Sequence, residues 1–501
     1  MLHCCLFLCG AALMIIELTG SRILAPFLGT SLVVWTSLIG IILASLSLGA
    51  WWGGIVADRR PRIQLLGRIV LLAAWATAAI GLSKTWVLQF LQGLGGLHLV
   101  AIMATVALFA PAAVLLGMVA PFAVRLQMED PARIGRTAGS LYAISTIGSI
   151  AGTFLAGFVL IAWVGSTAIL FITAATLVVA AWMIDPSTRA IKAVSLLAFG
   201  LALFLVHQQD RRLEQVGFLD RDTPYNRVLV YTGREGDAAR LTREMVTGPH
   251  GRQSAMYLDD PTELALPYTR FYRLAEYFQP AMLDMLVIGG GGYSFPKFAL
   301  ARYPEVRVDV VEIDPGITAL ARSHFGLEEH PRLRVIEADG RTFLNQPDRR
   351  YDVILLDAFN SHYSIPFHLV TIEAVRQLRE RLTPSGVVLV NILASPEGGA
   401  SQFYKALFAT FRAVFPEVRT YAVHNPEDAS QWQNLMLVAL TGATAAEVEH
   451  PPADEAIAAM LNHALPLPDH LPPPLTDEFA PVDRYISGGQ PLIETTARRD
   501  S

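Results

Sequence analysis

Hydrophobic positions divide the chain in two. As far as Val206 they fuse into long, nearly uninterrupted runs near residues 4–27, 32–56, 65–83, 98–123, 138–161, 164–184 and 190–206. Most runs are long enough for a helix to cross a hydrocarbon layer about 30 Å thick, so they predict a multi-span all-α membrane domain of about seven helices. Seven in succession read as spans rather than buried core helices. A cleaved leader does not fit, because no basic segment precedes the first run and the hydrophobicity continues beyond it. Beyond Val206 the pattern changes. Residues 207–221 are polar and predict a helical connector, and Arg227–Tyr231 and Ala255–Leu258 predict strands of a small antiparallel β lid spanning 222–265. A helix at 268–278 follows. Short apolar runs then alternate with helical segments: Leu286–Ile288, Val308–Glu312, Arg334–Ala338, Val353–Leu356 and Val387–Ile392. That alternation predicts a parallel sheet covered on both faces. Val418–Val423 and Leu435–Leu440, with no clear helix between them, predict an antiparallel edge.

The fold class that follows is an N-terminal all-α multi-span membrane domain and a C-terminal α/β Rossmann-like, doubly wound sheet of the methyltransferase type, with a small β domain before it. The expected boundaries are 1–208 for the spans, 209–280 for the connector and β domain, 281–445 for the sheet and 446–501 for a proline-rich, irregular tail. Composition agrees with the division: a mean hydropathy of +0.40 and 17% charged residues are wrong for a wholly soluble chain of this length.

Charge adds an orientation. Arg59, Arg60 and Arg62 follow the second run, Arg125, Arg133 and Arg136 the fourth, and Arg189 and Lys192 the sixth, while the alternate loops hold little beyond Lys84. The positive-inside bias makes the basic loops cytoplasmic. Seven spans then put the second half on the other side, unless one span between Lys84 and Arg125 is miscounted; the sequence leaves both open. Glu17 and Arg22 either sit near an interface or pair within the membrane, with each other or with a cation. Gly148, Gly152 and Gly157, with Ser145 and Ser149, read as a helix-packing stripe. The three cysteines, Cys4, Cys5 and Cys9, exclude a disulfide framework in the second half, and a net charge of −5 gives no footprint for nucleic acid. The partners this pattern implies are a lipid bilayer and a small molecule, with a homo-oligomer left open.

Candidate chemistry lies at the strand ends. Gly289-Gly-Gly-Gly292 follows the first strand of the sheet, and Glu312 ends the second at close to the roughly 20-residue interval between a glycine turn and a ribose-binding acid. Ser294 stands where a dinucleotide fingerprint has its third glycine, so a single nucleoside is the expected ligand. Asp339-Gly340 and Asp357–Asn360 end the next strands, and all are expected in one crevice.

These motifs carry a resemblance. Gly289-Gly-Gly291, Val311-Glu-Ile-Asp314, Asp339-Gly340 and Tyr351-Asp-Val-Ile-Leu-Leu-Asp357 resemble the consecutive motifs of the spermidine synthases, the polyamine aminopropyltransferases. Thr223-Pro-Tyr-Asn226 resembles that family's upstream motif. Gly53-Gly-Ile-Val-Ala-Asp-Arg59 and Leu141-Tyr-Ala-Ile-Ser-Thr-Ile-Gly148 resemble the membrane half of a fused, multi-pass subgroup.

The resemblance implies a cell-membrane enzyme that transfers an aminopropyl group from decarboxylated S-adenosylmethionine, a co-substrate rather than a tightly bound cofactor, to putrescine or another amine, with no metal. It assigns Gly289, Gly290, Gly291, Glu312, Ile313, Asp339 and Gly340 to the nucleoside, with Glu312 on the ribose hydroxyls and Asp339 on the adenine amino group. Asn226 and Tyr268 are assigned to the acceptor, and Asp357 to catalysis.

The chain also departs from the pattern. Asn360 takes the position of the proton-accepting aspartate, Gly292 that of the acid holding the donor's ammonium, and Arg270 puts a cation near the amine. His362, or His368, is a substitute base. Another adenosyl-sulfonium transferase such as a methyltransferase, a nucleoside-binding sensor without catalysis, and a transporter are the competing readings.

Overall fold

The computed structural model describes residues 1–92, 94–128, 134–235, 239–248, 251–346, 349–358, 366–442, 452 and 454–487. It separates into two compact units, Met1–Arg227 and Val228–Ser501.

The first unit is helical: α1 (Leu2–Leu28), α2 (Leu32–Arg59), α3 (Ile63–Gln92), α4 (Leu97–Leu108), α5 (Ala110–Gly117), α6 (Val119–Gln127), α7 (Ile134–Leu155) running through a π-helical segment into α8 (Ile161–Trp163), α9 (Ser166–Ile184) and α10 (Arg189–Gln215). Seven of the described helical stretches are long and apolar enough to cross a membrane. The run expected near 98–123 is broken at Phe109 and Met118, just ahead of Pro111 and Pro121, each of which removes a backbone donor and crowds the preceding turn. Close packing of α1 on α7 uses the small residues. An added Cβ at Gly148 would lie 2.1 Å from the Phe7 carbonyl oxygen, and one at Gly152 would lie 2.4 Å from that of Ala11. Gly157, by contrast, faces open space. Arg22 donates to the Thr223 carbonyl at the end of the unit, near the C-terminal end of α1. A short strand, β1 (Leu219–Asp222), follows α10, and a tight turn follows the strand; there the Thr223 hydroxyl accepts from the Asn226 amide at 2.9 Å.

In the second unit, antiparallel hairpins join β2 (Arg227–Glu235), β3 (Arg240–Val246) and β4 (Ser254–Tyr257). The helix expected at 268–278 is two short ones, α11 (Pro267–Phe271) and α12 (Leu274–Phe278). A seven-stranded sheet follows in the order β10-β11-β9-β8-β5-β6-β7, made of β5 (Asp284–Ile288), β6 (Arg307–Glu312), β7 (Leu333–Glu337), β8 (Tyr351–Leu356), β9 (Leu382–Ala394), β10 (Glu417–Ala422) and β11 (Gln433–Leu440). β9-β8-β5-β6-β7 is parallel, while β11 pairs antiparallel with both β9 and β10.

The central strands are apolar on both faces. Leu286, Ile288, Ile354, Leu356, Val388 and Val390 meet α16 (Ile372–Glu380) and α17 (Gln402–Arg412) in one core. Met285, Val287, Val353, Leu355, Val387 and Leu389 pack with α11, α12, α13 (Ser294–Arg302) and α14 (Pro315–His324) in the other. Each such side chain contributes about 1.5–3 kcal/mol by burial. Strand-to-helix turns are fixed by acids: Asp314 caps α14 through the Gly316 amide at 3.0 Å, and Asp339 caps α15 (Gly340–Leu344) through the Thr342 amide at 2.8 Å. The segment expected to be irregular holds α18 (Glu455–Leu461) and α19 (Val482–Ser487), and it anchors Ile457, Leu475, Val482 and Ile486 in the two cores. Its prolines hid this.

Candidate active site

The parallel strands deliver four acids to their carboxyl ends, and the loops between them decide which share a space. Gly289 leaves β5 at φ +102°, and a Cβ there would lie 2.4 Å from the Asp357 carbonyl oxygen. Only glycine lets this loop pass the end of β8. The loop closes on Glu312: its Oε2 accepts from the Gly290 amide at 2.7 Å and the Gly291 amide at 3.3 Å, and Oε1 from the Asp314 amide at 2.9 Å. Burial pushes the Glu312 carboxyl above its ordinary range although the three amides oppose the shift.

The two ends of the glycine run differ in character. Tyr293 takes a left-handed conformation at φ 54°, which costs a non-glycine residue about 1–2 kcal/mol. Its fully buried ring lies under Gly290, and its hydroxyl meets that of Thr318 at 2.8 Å. At Gly292 there is no room for an acid. The amide donates to the Ser254 hydroxyl at 2.8 Å, and a Cβ would lie 2.9 Å from Ser254 Cβ and 3.0 Å from the Phe325 ring.

Asp357 is the centre of a polar network. Oδ1 accepts from Asn391 Nδ2 at 3.1 Å, and Asn391 Oδ1 accepts from Asn434 Nδ2 at 2.9 Å. The single Tyr268 hydroxyl proton is shared between Asp357 Oδ2 at 3.3 Å and the Gln253 carbonyl at 3.1 Å. Burial pushes the Asp357 carboxyl up to about 6, against the Asn391 hydrogen bond and the neighbouring Tyr272 and Tyr268 hydroxyls. The same burial, with the Asp357 charge beside it, drives the Tyr268 phenol well up, so it stays a protonated donor.

These groups face a cavity of about 480 Å³. Gly289, Gly290, Gly291, Glu312, Asp357 and Tyr268 line it, as do Tyr272, Asn391, Asn434, His424 and the ion pair of Arg252 with Glu235. Arg252 also reaches Glu244 at 3.2 Å.

Other expected residues lie elsewhere. Asp339, Gly340 and Ile313 do not line the cavity. Asp339 turns to cap α15 and meets His368 Nε2 at 3.3 Å. Burial would raise its carboxyl, but the Thr342 amide and His368 outweigh it and hold the group below its usual range. Gly340 lets α15 approach the sheet, since a Cβ there would lie 2.8 Å from Ile288. Arg270 is exposed and donates to the Leu264 carbonyl at 2.9 Å, so its cation is not at the cavity. Asn226 belongs to the first unit. Asn360 and His362 lie outside the described residues.

Sequence reasoning passed over Asn391, Asn434, Tyr272, Ser254, His424, Glu235 and Arg252. Asn391 did carry a signal, a lone amide inside the apolar run of β9; the hairpin residues carried none.

With this geometry in place, the chain was compared with known proteins. Residues 272–445 match the Spermine/spermidine synthase domain family. The polyamine aminopropyltransferase of Vibrio vulnificus (strain CMCP6) is 30% identical over 250 residues, which cover 46% of this chain and 79% of that protein. A probable polyamine aminopropyl transferase of Bifidobacterium longum (strain NCC 2705) is 32% identical over 156 residues, covering 30% of this chain and 34% of that one. The chain therefore spans only about a third of the latter's length. Among solved structures, a probable spermidine synthase from Corynebacterium glutamicum ATCC 13032 is 20% identical with a TM-score of 0.40, covering 52% of this chain and 92% of that one.

Proposed function

Because the chain belongs to the polyamine aminopropyltransferase family, we propose that it is a membrane-anchored transferase moving the aminopropyl group of decarboxylated S-adenosylmethionine to putrescine. The products are spermidine and methylthioadenosine. The observation that carries this reading is that Glu312 and Asp357 face one cavity over the glycine loop. Glu312 accepts hydrogen bonds from the ribose hydroxyls. The amine nitrogen attacks the methylene next to the sulfonium; a C–N bond forms, the C–S bond breaks and its electron pair stays on sulfur.

The protein's tasks are alignment and proton removal. We assign the proton acceptor to Asp357, since a carboxyl near 6 is ionised at neutral pH and can take a proton from the substrate ammonium, leaving the free amine to attack. Tyr268 and Asn391 fix its two oxygens, and Tyr268 serves the acceptor. The donor is consumed, so no tightly bound cofactor is required. The seven apolar helices support the anchor; retention of the chain in membranes after a carbonate wash tests it.

A second reading has its own support. Ser254 fills the space an acid at Gly292 would need, and Arg252 places a guanidinium at the cavity. The first leaves the donor ammonium without an acid at that position, and the second offers a partner to the carboxylate that S-adenosylmethionine keeps, in exchange for Glu235 or Glu244. Incubation with each donor decides: methylthioadenosine supports aminopropyl transfer, S-adenosylhomocysteine supports methyl transfer, and binding without either product supports a sensor.

A further inference from the structure

We infer that the cavity of the second unit works on the non-cytoplasmic side of the membrane, on a sulfonium nucleoside and an amine that a transport step must deliver there. The inference rests on the reading of the seven helices as spans.

Contacts within the first unit sort the helix ends onto two faces. On one face, Asp58 at the end of α2 pairs with Arg125 near the end of α6 at 3.2 Å. Asp185 after α9 lies against Gly67 at the start of α3, and Lys192 at the start of α10 is buried against Asp185 and the Ser187 carbonyl. On the opposite face, Gln92 at the end of α3 donates to the Phe27 carbonyl at the end of α1 at 2.8 Å. Lys84 reaches Thr167 at the start of α9 at 2.6 Å, and the Ser166 amide donates to Asp222 at 2.7 Å.

These pairings remove the ambiguity between Lys84 and Arg125. The end of α3 is on the second face and the end of α6 on the first, so α4, α5 and α6 together make one broken crossing. The count from α1 to α10 is therefore odd. The first face carries Arg59, Arg60, Arg62, Arg68, Arg125, Arg136, Arg189 and Lys192; the second carries Arg22, Lys84, Arg211 and Arg212 within its helices and Arg221 and Arg227 beyond α10, but none in a described loop between two spans. Such an excess of Lys and Arg in short loops marks the cytoplasmic face. The chain leaves α10 on the other face, where Asp222 is held, and the second unit follows from there. A sulfonium nucleoside and a protonated amine cross hydrocarbon poorly, so neither reaches that side without a carrier.

The test is cysteine accessibility in the full chain. Arg60→Cys reports the basic face and Glu427→Cys the second unit; both positions are exposed, and the native chain with Cys4, Cys5 and Cys9 is the blank. If either variant fails to accumulate, Arg62→Cys or Arg322→Cys replaces it. A membrane-impermeant maleimide is expected to label Glu427→Cys in intact cells and Arg60→Cys only in inverted vesicles. The reverse pattern overturns the inference, and so does labelling of both from one side, which would mean an even number of crossings. Release of the chain by carbonate is a separate failure, that of the membrane reading itself.

Discussion

Replacing Asp357 by asparagine separates the chemistry of this carboxylate from its role in the fold, because the two respond in opposite directions. Its carboxyl is raised from 3.8 to about 6, and at about 1.4 kcal/mol per pH unit the charged form costs the fold about 3 kcal/mol at most, since the carboxylate borders an open cavity. The sign follows from the direction. A raised pKa means the folded protein binds the proton more tightly, so stability is full below about pH 4, falls as pH rises to about 6 and is level beyond. The substituted amide has no charge to desolvate, but it offers one acceptor where Asn391 and Tyr268 both donate, a loss of about 1 kcal/mol. The Asp357→Asn variant should therefore be more stable than the native chain by about 2 kcal/mol at pH 7.5, or roughly 4–8 °C in Tm, and slightly less stable at pH 4. Transfer should fall roughly a hundred- to ten-thousandfold. Thermal unfolding of both chains in detergent across this pH range, with turnover at saturating donor and amine, is the assay. A Tm difference that does not change between pH 4 and 7.5 would refute the account of the burial, and unchanged turnover would remove Asp357 from the reaction.

The other predictions address its neighbours. Glu312→Ala should weaken methylthioadenosine binding roughly ten- to a hundredfold by calorimetry, the loss of a charged hydrogen bond of about 1.5–3 kcal/mol; unchanged affinity places the nucleoside elsewhere. Asn391→Leu deletes a donor that holds the Asp357 carboxyl down, so the midpoint of the kcat/KM profile should move above about 6. A profile that stays in place argues against the network. Asn360→Asp should raise aminopropyl transfer to putrescine if that residue stands where the family resemblance puts a carboxylate. Brisk native turnover that is lost in His362→Ala would instead show an imidazole at work.

The sheet was legible in the sequence because each central strand is apolar on both faces and is followed by a turn whose residues have one physical purpose. Val311-Glu-Ile-Asp314 and Asp339-Gly340 end a strand, cap a helix and admit its close approach, so their order along the chain is their order in space. The antiparallel edge was legible because no helical pattern separates β10 from β11. What stayed hidden depends on contacts that close late in the chain. α18 and α19 sit among prolines, and their anchors are single apolar residues without a period. In the site, the strand ends could be read, but not where each acid turns. Asp339 has the same strand–acid–helix setting as Asp314, and that setting favours capping its own helix over facing a neighbouring loop.

The hairpin residues were the least accessible to sequence reasoning, and they bear most on the choice between donors. Ser254 and Arg252 reach the glycine loop and the cavity only because β3 and β4 fold back over the sheet, a tertiary relation with no local pattern. Gly292 then looks like a lost acid in the sequence, whereas in the fold it is a position already filled by Ser254. The consequence reaches the chemistry. An acid restored at Gly292 would have to displace Ser254 before it met any ammonium, and overpacking of that kind costs about 1–3 kcal/mol. On the proposed function, discrimination between the two sulfonium donors therefore falls to Arg252, whose guanidinium already has carboxylate partners in Glu235 and Glu244. Both donors bring an ammonium, which meets Glu235 in the cavity, and a donor carboxylate must in addition compete with Glu235 and Glu244 for Arg252. The balance of charge in that corner, more than the glycine run, sets which donor the cavity accepts.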